Sequence, residues 1–320
     1  MRLNAVTFRR LKCLRIVVVG HVSVDRVITV KGENRQPGGA ALYTAIAART
    51  LVRNVDLVTC IGKDYAYMDV LRYFNLKGIR VSSKPSTSFT IKYDEDWKAD
   101  YLEVKIGTGA YIKYSQIPVS WLGDKTILHL APIPPKKALK TIDFIRRVSP
   151  KTLISVNTWI GYIRKSTLST LREIAKKADF FVLNESEAYA LTGLKDLPRA
   201  VAKLEAETLI VTLGELGAVV KRDDDITLIP ALTKLPGETV DVTGAGDVWC
   251  GGFLAGYMLT KDLNKAVVSG SILAGLKCRD WYFRALLRLS FNGVEDLIKY
   301  VISLRGDTRQ RKITSYVKYP

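Results

Sequence analysis

Short apolar runs rich in β-branched residues recur down this chain: Ile16–Val19, Val55–Thr59, Thr126–Leu130, Leu153–Val156, Phe180–Leu183, Leu209–Thr212 and Gly217–Lys221. Stretches of helical character separate most of them. The pattern predicts helices over Gly38–Arg53, Asp69–Lys77, Lys136–Val148, Thr167–Lys177, Ser186–Thr192, Leu197–Leu204, Val248–Leu259, Lys265–Leu276 and Val294–Leu304. Buried strands that alternate with crossover helices specify an α/β fold with a mostly parallel central sheet. Asp25–Val30 and Thr87–Tyr93 break the rhythm by alternating apolar and polar residues, and Tyr101–Lys105 is a third such candidate. Strands of that kind suit a small sheet with one wet face. We expect them to form a β lid over the carboxyl edge of the main sheet, where open α/β folds bind ligands.

Composition narrows the function classes. A chain of 320 residues with 48% hydrophobic content can bury a full core. No apolar run reaches the roughly 18–20 residues of a membrane span, and the short run Ile16–Val19 after the basic N-terminus reads as a strand rather than a signal peptide. The expected location is the cytoplasm. Cys13, Cys60, Cys250 and Cys278 are scattered without a C-x-x-C pair, which argues against zinc or a disulfide framework. Of the two histidines, His129 reads as a core residue and His21 as a hydrogen-bonded residue at a strand end. The net charge of +18 would suit a polyanion partner or the steering of anionic nucleotides. It equally suits a thermophile surface, because glutamine is confined to Gln36, Gln116 and Gln310. The basic residues are spread out, apart from a cluster at Arg305–Lys312 with Lys318, so nucleic acid is not the expected partner.

The segment Asp241-Val-Thr-Gly-Ala-Gly-Asp247 runs into an apolar, small-residue stretch. Glycines allow close backbone approach, and a helix start concentrates unpaired N–H groups and positive dipole charge, so the turn is suited to an anion. Asp247 stands beside that cradle, where a carboxylate can take a proton from an attacking hydroxyl. An anion cradle next to a base points to phosphoryl transfer. No G-x-x-x-x-G-K-[ST] sequence is present, which excludes a P-loop enzyme.

Five segments, in order, resemble the ribokinase-like, PfkB-type carbohydrate kinases: Gly20-His-Val-Ser-Val-Asp25, Pro37-Gly-Gly-Ala-Ala-Leu-Tyr43, Asn184-Glu-Ser-Glu187, Thr212-Leu-Gly-Glu-Leu-Gly217 and Asp241–Asp247. The resemblance covers residues 16–260. It implies a ribokinase-like three-layer α/β/α fold over residues 16–304, with lid strands within about 25–36 and 87–107, a basic extension at 1–15 and a basic tail at 305–320. It implies that Asp25, Gly38 and Gly39 hold the acceptor and that Asp247 is the base. Gly244, Ala245 and Gly246 would then form the anion hole. Asn184 and Glu187 would hold Mg2+ through water and orient the phosphates, while Thr212, Gly214, Gly217 and Thr243 would line the nucleotide, ATP or ADP. Asp241 is the expected ligand for a monovalent cation such as K+.

Tyr43 stands where much of the family carries an asparagine against the sugar, so a reshaped acceptor pocket is expected. Asn157 and Arg164, the latter within Gly161-Tyr-Ile-Arg164, resemble substrate-side residues of inositol-kinase-like members. Trp281 and Tyr282 could stack on adenine or serve as core. The expected activity is phosphorylation of a sugar or polyol, myo-inositol-like or another carbohydrate. Nucleosides and sugar phosphates are the alternatives within the fold, a basic nucleic-acid-associated scaffold is the alternative outside catalysis, and a homodimer is compatible with either.

Overall fold

The computed structural model describes residues 14–231, 235 and 237–314, with side chains as far as Leu304. The N-terminal extension expected at 1–15 therefore lies outside the described residues up to position 13, as does the end of the basic tail beyond Thr314. Thirteen strands are present among the described residues: β1 (Arg15–Val19), β2 (Ser23–Thr29), β3 (Gly32–Gly38), β4 (Asn54–Gly62), β5 (Ile79–Ser82), β6 (Thr87–Tyr93), β7 (Ala99–Lys105), β8 (Thr126–Leu130), β9 (Leu153–Asn157), β10 (Phe180–Asn184), β11 (Thr208–Thr212), β12 (Gly217–Arg222) and β13 (Asp225–Pro230). Nine of them form the main sheet in the order β13-β12-β11-β10-β9-β8-β1-β4-β5. The pairings from β5 to β11 are parallel, and the β11-β12-β13 edge is antiparallel.

Side chains alternate across a strand, so β1 feeds two cores. Ile16 and Val18 pack with the helices Ala40–Arg49, Ala245–Thr260 and Leu263–Lys277 on one face. Val17 and Val19 pack with Pro135–Val148 and Leu168–Lys177 on the other. That is the expected three-layer arrangement, with parallel strands covered on both faces.

The lid has the order β3-β2-β6-β7, with β2 and β6 parallel and the outer pairs antiparallel. Every residue of β7 is exposed. No helix among the described residues is long and apolar enough to cross a membrane.

Three expectations about the elements change. The helix expected over Asp69–Lys77 is cut to Met68–Leu71 and a separate single turn at Leu76–Gly78. Asn75 caps that turn by accepting from Lys77 N at 3.1 Å, and Gly78 lies so close to Leu57 O that a Cβ would overlap it. The helix Ala245–Thr260 begins three residues earlier than expected, which puts Asp247 inside its first turn. The closing helix runs Val294–Thr314, ten residues beyond the expected end at Leu304 and into the basic tail.

Candidate active site

The carboxyl ends of β1, β9, β10 and β11 open beneath the lid into a cavity of about 320 Å³. His21, Asp25, Asn157, Glu187, Thr243 and Asp247 all line it, although they come from distant parts of the chain. Several of their polar atoms are buried without a partner: both ring nitrogens of His21, Asp25 Oδ1, Asn157 Oδ1 and Thr243 Oγ1. Buried polar atoms are nearly always hydrogen-bonded, so a set of orphans around one cavity marks it as a place for a polar ligand.

The anion turn is held from below. Gly244, with φ +71°, is the N-cap of the Ala245–Thr260 helix, and a Cβ there would come within 2.5 Å of the Tyr43 ring. Thr44 Oγ1 donates to Asp247 O at 3.0 Å, which fastens the helix start to Ala40–Arg49. Ala245 N is engaged with Val242 O at 3.0 Å. This departs from the expectation that Ala245 supplies a free donor. The next amides of the first turn, Gly246 and Asp247, lack intrahelical acceptors by the geometry of a helix start, and both residues line the cavity.

Asp247 Oδ1 accepts from Asn157 Nδ2 at 3.3 Å. Burial raises the Asp247 carboxyl to about 7, against the Asn157 bond, which favours the charged form. A base with that pKa is matched to proton transfer at neutral pH. Asn157, expected on the substrate side, is thus also the hydrogen-bond partner of the expected base.

Asp25 lies on β2, is 2% exposed, and is raised to about 7, chiefly by burial. Gly38 leaves room for it, because any Cβ at that position would overlap Asp25 Oδ2. Gly39, with φ +95°, crosses His21 O too closely for a side chain. His21 differs from expectation: it is a cavity residue with neither ring nitrogen bonded. Burial, with Lys137 nearby, lowers it to about 4, so the imidazole is neutral at pH 7. His129 is a core residue as expected, and its Nδ1 lies 3.0 Å from Ser155 Oγ.

Asn184 and Glu187 form a reciprocal capping box. Asn184 N donates to Glu187 Oε2 at 2.9 Å, and Glu187 N donates to Asn184 Oδ1 at 2.8 Å. Burial raises Glu187 to about 7, and the Asp247 charge adds to the rise. Two buried carboxyls that line one polar cavity, one of them raised in part by the charge of the other, provide a field for a cation. Among the described residues no group of three His, Cys, Asp or Glu could cage a metal. Glu187 and Asp247 are oxygen donors of the kind that suits hydrated Mg2+, which is typically held by one or two carboxylates, waters and substrate phosphates.

Other expected residues divide. Thr212 lines the cavity, whereas Gly214 and Gly217 do not. Those glycines shape the turn into β12: Gly214 has φ +57° and Gly217 φ +111°, with Ile229 O pressed against the latter. Arg164 is not brought to the site; it is exposed, and its Nε donates to Gly161 O at 3.0 Å. Tyr43 is buried and lines the cavity, and its hydroxyl accepts from Gln36 Nε2 at 3.2 Å. Trp281 packs with Val27, Ile91 and Tyr93 beneath the lid, and Tyr282 N donates to Asp241 Oδ2 at 2.9 Å.

Asp241 does not fit the expected monovalent-cation ligand. It is fully buried, and Lys277 Nζ donates to its main-chain oxygen at 2.6 Å and lies 3.2 Å from Oδ2.

One feature escaped the sequence reading. Tyr101 meets Trp159 edge-on at 5.7 Å between ring centroids, Trp159 meets Tyr162 at 5.5 Å, and Phe89 meets Tyr101 at 6.3 Å. All four rings line the cavity. The available signal was two aromatics in Asn157-Thr-Trp-Ile-Gly-Tyr162, directly after a strand at the sheet's carboxyl edge.

A three-layer α/β fold with a lid, a glycine-rich helix start beside a buried carboxyl and a polar cavity at the sheet's carboxyl edge suit a small-molecule phosphotransferase. The chain belongs to the pfkB family of carbohydrate kinases, whose family model matches residues 14–281. It is 32% identical over 275 residues to a cytidine kinase of Thermococcus kodakarensis, covering 84% of this chain and 97% of the relative. It is 26% identical over 283 residues to a nucleoside kinase of Methanocaldococcus jannaschii, covering 82% and 90%. In structure it resembles the Burkholderia thailandensis nucleoside kinase in complex with inosine, with a TM-score of 0.74, 18% identity and 91% and 99% coverage. The protein is a kinase with an alcohol group as acceptor.

Proposed function

We propose that the protein phosphorylates a sugar hydroxyl of a nucleoside, with ATP as donor. The observation that carries this reading is the aromatic wall of Phe89, Tyr101, Trp159 and Tyr162, which shares the cavity with Asp25 and Asp247. A base offers a π-face to such a wall, and stacking of a base on an aromatic side chain is worth about 1–3 kcal/mol. An inositol or a free sugar presents mainly hydroxyls and would leave the wall uncovered. The 32% identical cytidine kinase supports the same choice over the inositol-like acceptor.

Asp25, with Oδ1 unpartnered, accepts hydrogen bonds from the sugar hydroxyls, and the neutral His21 ring supplies one donor and one acceptor. Asp247 removes the proton from the attacking hydroxyl while Asn157 holds the carboxylate in place. The amides of Gly246 and Asp247 stabilise the charge on the transferring phosphoryl group. Glu187, capped by Asn184, would hold Mg2+ through water; when bound, the ion neutralises phosphate charge.

The test is an initial-rate panel of cytidine, uridine, adenosine and inosine against ribose, fructose and myo-inositol, with ATP and ADP compared. A nucleoside should exceed every free sugar by at least about fivefold in kcat/KM, as one stacking contact implies. A free sugar or inositol turned over as well as the best nucleoside would overturn the reading.

A further inference from the structure

We infer that Lys277 is a tethered cation that takes the place of a bound monovalent ion at Asp241, so that catalysis by this chain needs no K+. The family likeness leads one to expect Asp241 to ligate such an ion, and the residues present do not suit it. Lys277 is the last residue of the Leu263–Lys277 helix, and its side chain is fully buried. Its Nζ donates to Asp241 O at 2.6 Å and lies 3.2 Å from Oδ2.

The remaining capacity of the Asp241 carboxylate is also taken up. Thr243 N donates to Oδ1 at 2.7 Å, and Gln36 Nε2 and Tyr282 N donate to Oδ2 at 3.0 and 2.9 Å. Lys277 and Asp241 compensate each other's charge. A further bare cation would leave the buried site with an unpaired positive charge, which is strongly unfavourable.

The ammonium also reaches the reacting end of the loop. Nζ sits 5.5 Å from the centroid of the Tyr43 ring, a cation–π arrangement, and the same ring lies close against Gly244 of the Asp241–Asp247 turn. Lys277 is thus a positioning residue. It fixes the start of the turn through Asp241 and its back through Tyr43, without touching the reacting atoms.

The experiment compares wild-type protein, Lys277→Ala and Lys277→Met in KCl, NH4Cl and choline chloride at matched ionic strength, reading both Tm and the initial rate. Tm needs no acceptor, so this test stands apart from the identity of the substrate. The wild type should show the same Tm in all three salts and rates within about twofold, since the tethered ammonium is always present. Lys277→Ala should lose about tenfold or more in rate in choline, and regain both rate and Tm in NH4Cl or KCl. Lys277→Met, which refills the space without charge, should be equally slow and should not respond. A wild type activated and stabilised by K+ over choline contradicts the proposal even if neither variant folds. A Lys277→Ala protein equally impaired in every salt, or a fully active Lys277→Met, contradicts it as well.

Discussion

Asn157 Nδ2 donates to Asp247 Oδ1 across 3.3 Å, joining the end of β9 to the first turn of the Ala245–Thr260 helix. The bond holds the carboxylate oriented and favours its charged form, in opposition to the burial that raises it to about 7. Replacing Asn157 by Ala leaves burial unopposed. The acid limb of the kcat/KM–pH profile should move to higher pH, and a rise of one pKa unit from about 7 should lower the rate at pH 7 about fivefold. An unchanged limb would show that Asn157 does not tune the base.

Asp25, Glu187 and Asp247 are each raised to about 7 by burial in one cavity. For the free enzyme, kcat/KM should rise with pH through about 7 as these groups lose protons, and more steeply than a single titration. Stability should move the other way. A carboxyl raised above its unfolded value holds its proton more tightly when folded, so its contribution is complete below about pH 4 and is lost as pH rises through about 7. Asp25→Asn should therefore raise Tm at pH 8 by removing a cost on the order of 4 kcal/mol at most, while abolishing acceptor binding. Scanning calorimetry of both proteins at pH 5 and pH 8 checks the sign; a variant less stable than wild type at pH 8 would contradict it.

Trp159 stands between Tyr101 and Tyr162 in the aromatic wall. Truncation to Ala should raise the KM for a nucleoside about tenfold or more, with little change in kcat, because the stacking is made equally in ground and transition states. The KM for ATP should stay the same. An equal effect on acceptor and nucleotide would place the residue in general stability rather than in acceptor binding.

The parts of this molecule that local patterning determines were legible. Thr126–Leu130 and Thr87–Tyr93 are read at their observed boundaries, because a short, mostly apolar run bounded by turn residues and an alternation of apolar and polar side chains both favour a strand. β3 was obscured by its composition, Gly-Glu-Asn-Arg-Gln-Pro-Gly, which has low strand propensity and is recruited by pairing with β2. Asp25, Glu187 and Asp247 were legible because each belongs to a short motif at the start of its strand or helix. Lys277 was not, since its partner is 36 positions away and no local pattern distinguishes a buried lysine from a basic helix end. Arg164 was expected at the acceptor from a family-like spacing; its side chain is exposed, bonded to Gly161 O and not part of the cavity lining, which spacing alone could not tell.

The central claim is that Asp247 deprotonates a nucleoside hydroxyl held at Asp25. It is tested most directly by Asp247→Asn, with turnover and binding measured on the same sample. Coupled-assay kcat should fall by about 10²–10⁴, while calorimetric affinities for ATP and for the best nucleoside stay within about threefold of wild type, because the variant keeps the turn and the acceptor pocket. A variant that binds both ligands and still turns over near the wild-type rate would show that the base lies elsewhere.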